Sequence, residues 1–161
     1  MNTILLATDG SPSAEAATNE AVELAWATGW RLRVVTVWRT PILTGYGYAP
    51  AAYAPELAEA EREHAATVAQ QAVDAAAEAG IRGTWELREG DAAAEICEAA
   101  AETGAALIVV GAHGWGPVRR LVFGSVSTEV LHHAPCPVLV VRATEVPVEA
   151  QTEKVGEGIA G

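Results

Sequence analysis

Gly111-Ala-His-Gly114-Trp-Gly-Pro-Val-Arg-Arg-Leu-Val-Phe-Gly124-Ser125-Val-Ser127 is the stretch on which the reading of this chain turns. It directly follows the most apolar run of the sequence, Ala105-Ala-Leu-Ile-Val-Val110, and leads into a short helical segment, Val126 to His133. A buried strand, a glycine-marked loop and a helix start, in that order, is how α/β proteins hold phosphate. Glycine lets the backbone approach the anion closely. The free N–H groups and positive dipole end of the helix then bind it. The order predicts a nucleotide-binding α/β domain.

The amino-terminal end repeats the theme. Ile4-Leu-Leu-Ala7 is a short apolar run that ends at Thr8-Asp9-Gly10-Ser11, a buried strand followed by a turn. Ser11 and Pro12 suit an N-cap and a first helical position. Ala17, Ala21, Leu24, Ala25 and Thr28 then share one helical face, and Gly29 ends the helix.

Arg31 to Trp38 is rich in Val and predicts a second strand. Thr40 to Pro55 carries Pro41, Gly45, Tyr46, Gly47, Tyr48, Pro50, Tyr53 and Pro55, and predicts a loop of about 15 residues, either a lid over a ligand or a surface loop. Glu56 to Ala79 is an Ala- and Glu-rich helix with an apolar stripe at Val68, Ala72, Ala75 and Ala79, stopped by Gly80; His64 lies on the extension of that stripe, as a packed or rim residue. Thr84 to Glu89 alternates as a half-exposed edge strand does. Asp91 caps the next helix, whose Ala93, Ile96 and Ala100 face inward and which Gly104 ends. Pro135-Cys-Pro137 stops helix propagation before the last apolar strand, Val138 to Val141. Beyond Arg142 periodicity is lost, so 143–161, which holds the lone Lys154, reads as a loose tail.

Strands that alternate with helices predict a parallel sheet covered on both faces, with right-handed crossovers. Ligands bind such sheets at the carboxyl ends of strands, where strand order reverses. The loops after the first and fourth strands have the right chemistry at the right end. Both line one crevice only if those strands are neighbours, which gives the order 3-2-1-4-5.

Composition narrows the function. Half of the residues are apolar and 19% are charged, so the chain buries a core. No apolar run approaches the roughly 18 residues of a membrane helix, and the first residues lack a basic start, so the expected location is the cytoplasm. A net charge of −11 argues against nucleic acid and anionic membrane as partners. Residues 111–142 nevertheless hold Arg119, Arg120 and Arg142 against one acid, Glu129. Cys97 and Cys136 have no metal spacing and read as small, buried or half-buried side chains. His132-His133 lacks an acidic or cysteine partner at metal spacing and reads as a helix end.

Two familiar phosphate motifs are missing: Gly-x-Gly-x-x-Gly after the first strand, and Gly-x-x-x-x-Gly-Lys-Ser/Thr. Gly111-x2-Gly114-x9-Gly124-Ser125 is present instead. In this pattern, in Ala7-Thr-Asp9-Gly-Ser11, and in the run from Gly124-Ser-Val-Ser127 through His132-His-Ala-Pro-Cys-Pro-Val-Leu-Val-Val141, the chain resembles the ATP-binding subgroup of the universal stress protein (UspA-like) family. The resemblance covers about residues 2–142 and implies a single domain over 1–142. It implies a Rossmann-like fold of five parallel strands ordered 3-2-1-4-5, of the kind seen in adenine-nucleotide alpha hydrolases.

The resemblance also implies contacts. Ala7, Thr8 and Asp9 would lie near adenine and ribose, and Val37 would border the adenine. Val110, Gly111, His113 and Gly114 would pass close to ribose and phosphate. Gly124, Ser125, Val126 and Ser127 would offer N–H and hydroxyl groups to phosphates. Arg119 and Arg120 either reach phosphate or are solvated. The family commonly dimerises through its last strand, here Val138 to Val141, which would cover an apolar edge. The expected protein is a cytoplasmic, homodimeric ATP-binding module of stress or dormancy responses, with Mg²⁺ or Mn²⁺ accompanying the nucleotide. No nucleophile–base pair is visible in the sequence, so hydrolysis is expected to be slow or absent. The alternatives are a cAMP or AMP sensor or sink on the same scaffold, an interaction module with an unused site, and a nucleotidyl transferase or pyrophosphatase, whose signatures are missing.

Overall fold

The computed structural model describes residues 1–40, 42–43, 52–53, 55–113 and 123–143. Its elements are β1 (Thr3–Ala7), α1 (Pro12–Thr28), β2 (Arg31–Trp38), β3 (Ile42–Leu43), β4 (Ala52–Tyr53), α2 (Pro55–Glu78), β5 (Gly83–Glu89), α3 (Ala92–Thr103), β6 (Leu107–Gly111), α4 (Ser125–His133) and β7 (Val138–Val141). The main sheet runs β5-β2-β1-β6-β7 with every pairing parallel. Counted along the main-sheet strands alone, this is the expected order 3-2-1-4-5.

The centre of the sheet explains the unbroken apolar runs. Ile4, Leu5 and Leu6 of β1 and Ile108 and Val109 of β6 have no exposed surface. Both faces of these strands are covered, so every position is apolar rather than every second one. Ile4, Leu6, Leu32, Val34 and Val109 pack against Ala17, Ala21 and Ala25 of α1 and Ala69, Ala72 and Ala76 of α2. Leu5, Val35, Ile108 and Val110 pack on the other face against Ile96, Ala99 and Ala100 of α3 and Val130 of α4. Full burial of one such Leu, Ile or Val side chain contributes about 1.5–3 kcal/mol.

The helix ends follow local chemistry. Ser11 Oγ accepts the Ala14 amide at the start of α1, with Pro12 at the first helical position. Asp91 accepts the Ala94 amide at the start of α3. Gly29 and Gly104 close these two helices with φ of 70° and 59°, which glycine adopts without a Cβ clash.

Several expectations need correction. The stripe of α2 runs through Ala58, Ala65, Val68, Ala69, Ala72 and Ala76, while Ala75 is half-buried and Ala79 lies past the helix, exposed. The helix is thus turned relative to the expected face, and His64 points to solvent. In α1, Leu24 is only partly buried and Thr28 is exposed, its hydroxyl donating to the Leu24 carbonyl. The 40–55 stretch contains a two-residue antiparallel ladder, with Ile42 opposite Tyr53 and Leu43 opposite Ala52. Between Thr40 and Pro55 the rest of that stretch lies outside the described residues, as do Gly114, Trp115, Arg119, Arg120, Lys154 and nearly all of 143–161. α4 begins one residue early, at Ser125. β5 is an edge strand as its alternation required, and β7 is the other edge, half-exposed along its whole length.

Candidate functional site

The chain leaves β1 for β2 and β5 on one side, and β6 for β7 on the other. The order therefore reverses between β1 and β6, and loops there diverge and leave a crevice. A cavity of about 420 Å³ opens at this point, within the range of small-molecule sites. Ala7, Thr8, Asp9, Val37, Val110, Gly111, His113, Gly124, Ser125, Val126 and Ser127 all line it. Of the expected site residues, Gly114 alone lies outside the described part of the chain.

The two loops are tied together. Ser11 Oγ donates to the His113 carbonyl at 3.3 Å, which joins the β1 turn to the β6 loop. Asp9 is exposed, and its Oδ1 accepts the Ser11 amide at 2.9 Å. This fixes the carboxylate at the turn, while Ser11, not Asp9, is the helix cap. Gly10 has φ of 73°, the conformation that makes the turn sharp.

The start of α4 is built on the Ala112 carbonyl. The Gly124 amide donates to it at 2.6 Å and the Ser127 hydroxyl at 3.0 Å. Ser127 is 2% exposed, and its hydroxyl also lies 3.1 Å from the Gly124 carbonyl. These two donors therefore position the helix, a different use from the phosphate contact expected of them. The first helical hydrogen bond runs from the Thr128 amide to the Gly124 carbonyl, 3.0 Å. The amides of Ser125, Val126 and Ser127 precede it and lack an acceptor within the helix. Gly124, the N-cap residue, has no side chain to cover them. Three amides and the exposed Ser125 hydroxyl thus remain as anion donors at the positive end of α4.

The rest of the cavity wall is apolar. Val35, Val37, Ile96 and Val110 face it, together with Ala14, Ala92, Ala112 and Phe123. Ala14, Val35, Ala92, Ile96, Ala112 and Phe123 were not expected there. Their apolar character fits core and wall equally, and only the fold separates the two. The cavity thus combines an apolar region, a carboxylate at the first turn and an amide cluster at a helix start. That set suits a ligand with an apolar ring, a polyol and an anionic group. Among the described residues no three His, Cys, Asp or Glu side chains gather at metal-binding distance, and no helix is long and apolar enough to cross a membrane.

The sequence matches the universal stress protein family model over residues 1–142. Universal stress protein YxiE of Bacillus subtilis (strain 168) is 34% identical over 146 residues, covering 88% of this chain and 99% of that one. Universal stress protein UspA from Lactobacillus plantarum superposes with a TM-score of 0.73 at 29% identity, over 88% of this chain and 97% of that one. The universal stress protein from Archaeoglobus fulgidus, solved in complex with dAMP, superposes with a TM-score of 0.63 at 26% identity, over 88% of this chain and 97% of that one.

Proposed function

We propose, from the premise that the chain belongs to the universal stress protein family, that the cavity between β1 and β6 binds an adenine nucleotide, with ATP preferred. The observation that carries this reading is the start of α4: the three residues whose amides precede the first helical hydrogen bond line the same cavity as Val35, Val37 and Ile96. Adenine would lie against the valines and Ile96. Asp9 would accept hydrogen bonds from ribose hydroxyls. The phosphates would sit on the Ser125, Val126 and Ser127 amides. The dAMP held by the Archaeoglobus fulgidus relative supports the adenine assignment.

The protein would then act as a cytoplasmic nucleotide-loaded module in a stress or dormancy response, one domain over residues 1–142. A second copy would pair along the half-exposed edge strand β7. Any Mg²⁺ or Mn²⁺ would arrive on the nucleotide's phosphates. Hydrolysis would be slow, because the amide cluster binds phosphate without supplying a base for water.

One observation favours a monophosphate or cyclic nucleotide instead: the relative's ligand carries a single phosphate. Calorimetric titration of ATP–Mg²⁺, AMP and cAMP decides between them, with Gly124→Val as control. A Cβ at Gly124 meets the Ala112 carbonyl oxygen at 3.3 Å, so the larger side chain would displace the amide cluster. Saturable ATP binding, lost in the variant, is the expected result. A tenfold preference for cAMP or AMP would overturn ATP as the ligand, and unchanged ATP binding by Gly124→Val would overturn the site.

A further inference from the structure

We propose that Arg142 is a phosphate-recognising residue that makes the cavity select nucleoside di- and triphosphates over monophosphates. This rests on the adenine-nucleotide reading of the cavity and goes beyond it.

The placement of Arg142 follows from the sheet. Val141 pairs with Gly111, and the Ala112 amide donates to the Val141 carbonyl at 2.7 Å. β7 therefore ends beside the loop that lines the cavity. Side chains alternate along it: Leu139 and Val141 pack toward α1 and α2, whereas Val138 and Val140 pack toward α3 and α4. Continuing the alternation sends Arg142 to the α4 side. Its guanidinium lies there, 5.8 Å from the centre of the Phe123 ring. Phe123 lines the cavity and immediately precedes Gly124. A positive charge thus stands beside the start of α4, at the end where the amide cluster would hold phosphate.

What holds Arg142 matters as much as where it is. Arg39, at the carboxyl end of β2, is occupied by the Asp91 carboxylate at 2.5 Å and the Gly90 carbonyl at 3.0 Å. Arg142 is exposed and rests on an aromatic face. Such a contact orients a guanidinium but binds it more weakly than a charge-assisted, two-pronged hydrogen bond to phosphate. The guanidinium is therefore held in waiting and can exchange the ring for a phosphate oxygen. The first phosphate of a nucleotide would be satisfied by the amides. Only a second or third phosphate, carrying more charge out of the amide cluster, would engage Arg142.

The test is calorimetric titration of ATP, ADP and AMP into the full chain and into Arg142→Gln and Arg142→Lys, at two salt concentrations. The expected result is that Arg142→Gln weakens ATP about tenfold or more, as for loss of a hydrogen bond to a charged group, and changes AMP by less than about twofold. Arg142→Lys should restore part of the loss, and the salt dependence of ATP binding should flatten in Arg142→Gln. An equal change for ATP and AMP, or none for either, would overturn the proposal while leaving the nucleotide site standing. A wild-type chain that takes up none of the three would overturn the site itself.

Discussion

The backbone of Gly111 lies directly against that of Ser13: a Cβ built on Gly111 would stand 2.7 Å from the Ser13 carbonyl carbon and 2.9 Å from its oxygen. The end of β6 and the first turn of α1 thus meet main chain to main chain. That contact sets the width of the crevice between the two loops. It also gives Gly111 a reason to be glycine that precedes any ligand.

Gly111→Ala should accordingly be a folding variant. The neighbour is backbone and cannot rotate away, so the overpacking should cost about 1–3 kcal/mol. Gly124→Ala is the comparison, since its Cβ would meet the Ala112 oxygen at 3.3 Å and the helix start can give by a few tenths of an ångström. Thermal melts by circular dichroism should place Gly111→Ala several degrees below Gly124→Ala. A Gly111→Ala melt equal to wild type would show that α1 is not fixed against β6.

Ser127→Ala should separate support from ligand contact. The hydroxyl donates to the Ala112 carbonyl from a buried position, so its removal should cost about 1 kcal/mol of stability. The Ser127 amide remains, so ATP affinity should fall by less than about threefold, well under 1 kcal/mol. Ser125→Ala should do the reverse, sparing stability and weakening ATP, because the Ser125 hydroxyl is exposed at the cavity. Urea midpoints together with calorimetry on both variants check this, and the opposite pattern would assign the ligand contact to Ser127.

Much of this was legible in the chain. The apolar runs at Ile4 and Leu107, the glycines after them and the helix caps at Ser11 and Asp91 declare strands, turns and helix starts through local chemistry. Adjacency of β1 and β6 followed from requiring both glycine-marked loops to share a crevice. The face of α2 was not legible, because its abundant alanines give a weak contrast between core and solvent sides, and Ala75 and Ala79 are indistinguishable in kind from Ala72 and Ala76. The division of labour at α4 was hidden for another reason. Whether the Gly124 amide faces a ligand or the Ala112 oxygen depends on how the loop returns, which residue types do not encode. The Phe123–Arg142 contact joins residues 19 apart through strand alternation and a helix start, and became visible only with the register of β7.

The two cysteines should be slow nucleophiles. Cys97 and Cys136 are half-buried against the core cluster of α3 and α4. Burial pushes the Cys97 thiol up, and the neighbouring Cys136 adds to the effect. Burial also pushes up Cys136, although a hydrogen bond from the Ile108 backbone opposes it. A smaller thiolate fraction lowers reactivity. Alkylation by iodoacetamide at pH 8 should therefore run several-fold slower than for a free cysteine, and should reach the free rate in urea. Equal rates in the folded and unfolded chain would contradict this.

The charged layer between β5 and α3 should give the fold an acid limit. Arg88 reaches Glu86 at 3.1 Å and Glu95 at 3.6 Å and also pairs with Glu102, while Arg33 reaches Glu86 at 2.5 Å. Burial alone pushes the Glu86 carboxyl up, but the hydrogen bonds from Arg33 and Arg88, with their charges, bring it below its ordinary value of 4.5. A carboxyl lowered in the folded state adds stability above its unfolded pKa, and that stability is lost as pH falls through the folded value. Wild type should thus be more stable than Glu86→Gln at pH 7, and the gap in urea midpoint should narrow as pH falls below the ordinary carboxyl value of 4.5 and through the lowered folded value, where Glu86 takes up its proton. A gap that stays constant from pH 7 to pH 3 would mean that the glutamate's charge does not hold β5 to its neighbours, and that shape alone does.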